Sequence, residues 1–110
     1  MDDQININEN HGQYIGYVKW FNKKKGYGFI TITDGGHQGE DVFCHFSDIT
    51  SDNYKIVYPG EFISCDVETK DSDGKLICKN VGGVNGYPLL TDNMKYIYKI
   101  VPKKMREKND

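Results

Sequence analysis

Two short runs of this 110-residue chain place rings and small residues on opposite sides of an extended backbone. They are Lys25-Gly26-Tyr27-Gly28-Phe29-Ile30 and Asp41-Val42-Phe43-Cys44-His45-Phe46. Side chains along a strand alternate between its faces. Tyr27 and Phe29 therefore share one face, and Gly28 and Ile30 the other. Phe43 and His45 oppose Val42 and Cys44 in the same way. Each run thus offers a core face of small or β-branched residues and a second face of rings.

The rest of the chain extends this β pattern. Tyr14–Asn22 is rich in aromatic and β-branched residues, 23–26 reads as a tight turn, and 27–33 is a second strand paired as a hairpin. A glycine-rich loop at 34–40 precedes a third strand, Asp41–His45. A longer connection, 46–59, carries one helical turn near 47–50. A fourth strand at 61–69 alternates Ile63, Cys65 and Val67 against Ser64, Asp66 and Glu68. A turn of the Asp-Gly type at 71–74 leads to a fifth strand at 75–81, and 82–86 ends the domain.

Five short strands in about 70 residues predict an all-β fold closed on itself, since closure removes exposed edges. The five-stranded antiparallel oligonucleotide-binding barrel, the OB-fold, is the common solution at this size. Its predicted core is Val18, Ile30, Ile32, Val42, Cys44, Ile63, Cys65, Val67 and Val81, with Ile49 and Val57 as lids.

Three parts are expected: a flexible acidic N-terminal tail at 1–13, a domain at 14–86, and a short C-terminal extension at 87–110 with a basic end. The extension admits three readings. Thr91 could cap a helix carrying Met94, Ile97, Tyr98 and Val101 on one face. Tyr96, Tyr98 and Ile100 also alternate as in an added strand, and disorder is the third reading.

The net charge of −2 hides an uneven distribution. The three parts carry −3, −2 and +3. Lys19, Lys23, Lys24 and Lys25 cluster at the first aromatic run. A basic stripe on a mildly acidic body fits modest phosphate binding and argues against tight binding by charge alone. Cys44, Cys65 and Cys78 are an odd set with wide spacing, read as small buried thiols, and no metal or cofactor is expected. No stretch approaches the length of a membrane span, and no membrane partner is expected.

Rings in a β-protein ordinarily fill the core. Here the opposite faces already supply a core set, the ring face also carries His45, and Lys19 and Lys25 lie close by. So many rings facing water without a partner would favour aggregation. A stacking surface for unpaired bases accounts for them, each stack contributing roughly 1–3 kcal/mol. Trp20 and Phe21 are adjacent and cannot both face outward in a regular strand; a bulge would solve this, with Trp20 exposed and Phe21 partly buried.

The runs Gly16-Tyr17-Val18-Lys19-Trp20-Phe21-Asn22, Lys25 to Ile30 and Asp41 to Ser47 together resemble the cold-shock domain signature in order and spacing. Tyr54-Lys55, Gly60, the strand at 63–67 and Asn80-Val81 extend the likeness over roughly 14–86. The resemblance implies a barrel that binds single-stranded RNA and DNA, often pyrimidine-rich, in RNA chaperones or regulators of translation or transcription. It carries binding roles onto Lys19, Trp20, Lys25, Tyr27, Phe29, Phe43, His45, Phe46 and Tyr54; Phe21 and Lys55 complete the candidate site. Tyr27 and Tyr54 stand where Phe is common, Cys44 where Val is usual, and the loop at 34–40 is longer.

The expected function is therefore non-enzymatic binding of single-stranded RNA and DNA. The alternative is a protein-interaction module using the same ring face. His11, His37 and His45 have no Ser, Cys or carboxylate at a catalytic spacing. The expected location is the cytoplasm, with the nucleus as alternative. The extension, through Tyr96 and Tyr98, offers a surface for a homodimer.

Overall fold

The computed structural model describes residues 12–70, 72–101 and 103. The strands are β1 (Tyr14–Asn22), β2 (Tyr27–Ile32), β3 (Asp41–His45), β4 (Phe62–Thr69) and β5 (Leu76–Gly82). They close into a barrel in the order β1-β2-β3-β5-β4, with β4 pairing back onto β1. The β1–β2, β2–β3, β4–β5 and β1–β4 seams are antiparallel. The β3–β5 seam, with Phe43 opposite Ile77, is parallel. A parallel pair needs a long crossover, and here the connection at 46–61 together with β4 provides it. The expected helical turn is a 3-10 turn at Phe46–Asp48. Among the described residues no helix is long and apolar enough to cross a membrane.

The alternating positions close the core as expected. Val18, Ile30, Ile32, Val42, Cys44, Ile63, Cys65 and Val81 are buried, and Ile49 and Val57 cover the barrel. Val67 is only half-buried, packed against the cluster near the end of β4. Cys78 and Leu89 join the core as well. Cys78 and Val81 are three residues apart, a spacing that a regular strand sends to opposite faces. The β4–β5 register shifts between Ser64 and Asp66, and Asn80 adopts a left-handed φ of 54°, so both side chains turn inward. The Cys78 thiol donates to the Phe43 carbonyl (3.2 Å). Bonding with the Cys44 and Cys65 sulfurs, then burial, pushes its pKa up and keeps it protonated.

The extension forms neither a helix nor an added strand, the two ordered readings of its sequence. After a 3-10 turn at Leu90–Asp92, residues 93–101 have no regular structure. Thr91 does not cap: its hydroxyl donates to the Tyr54 carbonyl (3.1 Å). Asn93 Oδ1 accepts from the Lys95 and Tyr96 amides at 2.8 and 2.6 Å, as an N-cap would, yet no helix follows. One cap contributes about 1 kcal/mol, too little to nucleate a short run of aromatic and β-branched residues. The face that was to anchor the helix finds no cover, with Met94 and Ile97 almost fully exposed. The acidic tail at 1–11 and the basic end at 104–110 lie outside the described residues.

Candidate nucleic-acid interface

The outward face of β1, β2 and β3 is set by cross-strand pairing. Trp20 lies opposite Phe29, Phe29 opposite Phe43, and Tyr27 opposite His45. Trp20 contacts Tyr27 and Phe29 at centroid distances of 5.9 and 5.5 Å, and Phe43 contacts the same two rings at 5.6 and 5.8 Å. The four rings meet tilted or edge-on, with interplanar angles of 32–73°. None stacks face to face on another, so their planes are not used up by one another. Trp20 is 41% exposed, and Tyr27, Phe29 and Phe43 are half-buried. His45 continues the face and lies 4.5 Å from the Phe46 ring.

Local sequence explains this placement. The β1–β2 register shifts between Val18 and Trp20, so a bulge at Lys19 leaves Lys19 and Trp20 both exposed and returns Phe21 inward. Phe21 packs against the core and is not part of the ring face. Gly28 sits opposite Phe21, and a Cβ there would collide with the Trp20 carbonyl oxygen. Gly26 has a φ of +79°, and a Cβ there would lie 2.6 Å from the Phe46 ring. The turn is fixed by the Gly26 amide donating to the Asn22 carbonyl (2.7 Å) and by the Phe46 amide donating to the Gly26 carbonyl (2.8 Å). The glycines thus bring β1 close and let Phe46 settle over the turn.

The polar groups are unevenly committed. Lys19 is ion-paired to Asp41 at 2.8 Å, and the Thr31 hydroxyl donates to the other Asp41 oxygen at 2.6 Å. The bonds from Lys19 and Thr31 hold the Asp41 carboxyl below its ordinary value. Lys55 Nζ donates to the Ile49 carbonyl at 3.2 Å. Lys25 is exposed and makes no ion pair among the described residues. Nδ1 of His45 accepts from the Ser47 amide (3.2 Å), which places the proton of the neutral ring on Nε2. Tyr54 is 76% exposed on the connection after β3, apart from the four-ring array.

One aromatic pair escaped the sequence reading. Tyr17 and Phe62 lie 5.6 Å apart on the outside of the β1–β4 seam, both exposed. Their alternation with the buried Val18 and Ile63 was the available signal.

A model of the "cold-shock" DNA-binding domain matches residues 14–84. This chain belongs to the cold-shock domain family. The family binds nucleic acid, and the closed five-stranded barrel is its fold. Over 53 residues the chain is 53% identical to cold shock-like protein CspG of Shewanella violacea, covering 48% of this chain and 71% of that one. It is 46% identical over 54 residues to cold shock-like protein CspB of Escherichia coli (49% and 72%). A match to cold shock domain-containing protein 4 of Arabidopsis thaliana is 40% identical over 74 residues, 67% of this chain and 35% of that one.

Proposed function

We propose that this cold-shock domain is a non-catalytic binding module for single-stranded RNA and DNA. Trp20, Tyr27, Phe29, Phe43, His45, Phe46 and Tyr54 stack unpaired bases. Lys19, Lys25 and Lys55 meet phosphates or base edges, and Phe21 supports the face from beneath. Such stacking tolerates many sequences because every base has a π-face; a preference for pyrimidine-rich strands is part of the proposal. The cellular role is that of an RNA chaperone or a regulator of translation or transcription.

One observation carries this reading. The core is complete without the outer rings, while four of them sit in mutual contact at the surface with their planes unstacked. Trp20 is the only tryptophan, so its fluorescence tests the proposal. A short oligothymidine at low salt is expected to quench it saturably. The affinity should fall with salt at a slope of about −2 on logarithmic axes, for three lysines on a single strand. Absence of quenching and of any anisotropy change would contradict the proposal. Self-association that oligonucleotide leaves untouched would favour the protein-interaction alternative.

A further inference from the structure

An open groove of about 1010 Å³ lies beside the ring face. The β1–β2 turn, the connection after β3 and the C-terminal extension all line it. Lys23, Lys24, Lys25, Lys55 and Lys99 line it, and among the described residues no Asp or Glu does. On a chain of net charge −2 this is a concentrated positive surface. Tyr54, Tyr58, Tyr96 and Tyr98 line the same groove. Phe46 and Gly26 belong to its wall too, and Phe46 touches His45 of the ring face, so the two surfaces run into each other.

The extension is tied in place at its start. Leu89 is in the core, and the Glu61 carboxylate accepts from the Leu90 amide (2.7 Å) and the Tyr58 amide (3.0 Å). Asp92, the one acid among the described residues of the extension, accepts from Ser51 Oγ (2.8 Å) and Asn53 Nδ2 (3.3 Å). Its charge is engaged there, outside the groove lining.

We infer that this groove is a second segment of the nucleic-acid site, filled by the nucleotides that run off the ring face past Phe46. Its tyrosines stack the additional bases, its lysines meet their phosphates, and residues 90–99 lengthen the strand the protein holds. The inference rests on the function proposed above. The lysine-rich lining, without a carboxylate among the described residues, and its continuity with the ring face favour a nucleic-acid strand over a second copy of the chain.

The test is a length series of oligothymidines, from about four to about twelve nucleotides, titrated into the full chain and into a Tyr96→Ala, Lys99→Gln double variant. Both side chains are exposed, so the melting temperature should not move. The intact protein is expected to gain affinity beyond the length at which the variant levels off. The variant should bind the shortest strands equally and the longest about tenfold more weakly. Its salt slope should be shallower by about 0.7, because one fewer phosphate is neutralised. Equal behaviour of both proteins at every length overturns the groove and leaves the ring face standing. Failure of even the shortest strands to bind overturns the ring-face reading and the groove with it. A concentration-dependent dimer that the variant abolishes, with strand binding unchanged at every length, assigns the groove to a second copy and also overturns it.

Discussion

The ring face of β2 and β3 and the extension at 87–101 are both rich in aromatic residues, but they are held in different ways. On the ring face, backbone pairing fixes every side chain: Phe29 lies opposite Phe43 and Tyr27 opposite His45, whatever the rings themselves prefer. The extension has no ladder. A buried leucine and a few polar bonds to Glu61, Tyr54, Ser51 and Asn53 position it, and beyond Asn93 a loose contact between Tyr58 and Tyr98, 6.2 Å apart, is its one ring pair among the described residues. A surface built on a ladder is preorganised. One built on tethers depends on each tether separately.

The largest effect should come from breaking the ladder beneath the rings. Gly28→Ala forces a Cβ into the Trp20 carbonyl and the Phe21 backbone, which cannot move aside cheaply. It should cost about 3 kcal/mol of stability, the upper end of overpacking, read as a lower denaturant midpoint, with binding lost alongside.

The tether comes next. Glu61→Gln keeps one acceptor where two amides, of Tyr58 and Leu90, each use a carboxylate oxygen. The unsatisfied donor should cost about 2 kcal/mol, and hydrogen exchange at Leu90 should quicken while the amides of β2 and β3 stay protected. Desolvation raises the pKa of Glu61, against the lowering pull of the Leu90 and Tyr58 amides. This group therefore favours the fold most below about pH 4.5, and its contribution declines as pH rises through the raised value. The glutamine variant should lack that decline.

Phe43→Ala removes one platform from the array and should weaken oligonucleotide binding by roughly 1.5 kcal/mol, within the range for a missing base–ring stack. Titration calorimetry would measure it. The same weakening of binding from Met94→Ala would erase the distinction between the two regions.

The smallest change concerns Asp41. Its depressed pKa means that its bonds to Lys19 and Thr31 stabilise the fold above about pH 3.8 and are lost as pH falls through the folded value. The pair is exposed, so Asp41→Asn should change stability by under about 1 kcal/mol. Freed of its partner, Lys19 should bind strands a few-fold more tightly at low salt, with the gain fading as salt rises.

Alternation made the ring face legible in the sequence, because a strand turns residue order directly into sidedness. Val18, Ile30, Val42 and Cys44 against Phe29 and Phe43 needed nothing more. Cys78 was read as a buried thiol, but its place in the barrel core alongside Val81 was hidden because a bulge and a left-handed Asn80 reset the period within β5. The ion pair of Lys19 was hidden because Asp41 lies 22 residues away, two strands across. The extension was least legible: Leu89 enters the core and the Leu90 amide bonds to Glu61 through tertiary contacts that leave no periodic trace, and of the helically spaced set Met94 and Ile97 stay almost fully exposed.

The most direct test is an NMR titration of the full chain with a short oligothymidine, following ring protons on the outer face and methyl protons in the core. The ring signals of Trp20, Tyr27, Phe29, Phe43 and His45 should move together and saturably, while the methyls of Val18, Ile30 and Val42 stay in place. Shifts centred elsewhere on the barrel, with those five rings unmoved, would contradict a stacking face.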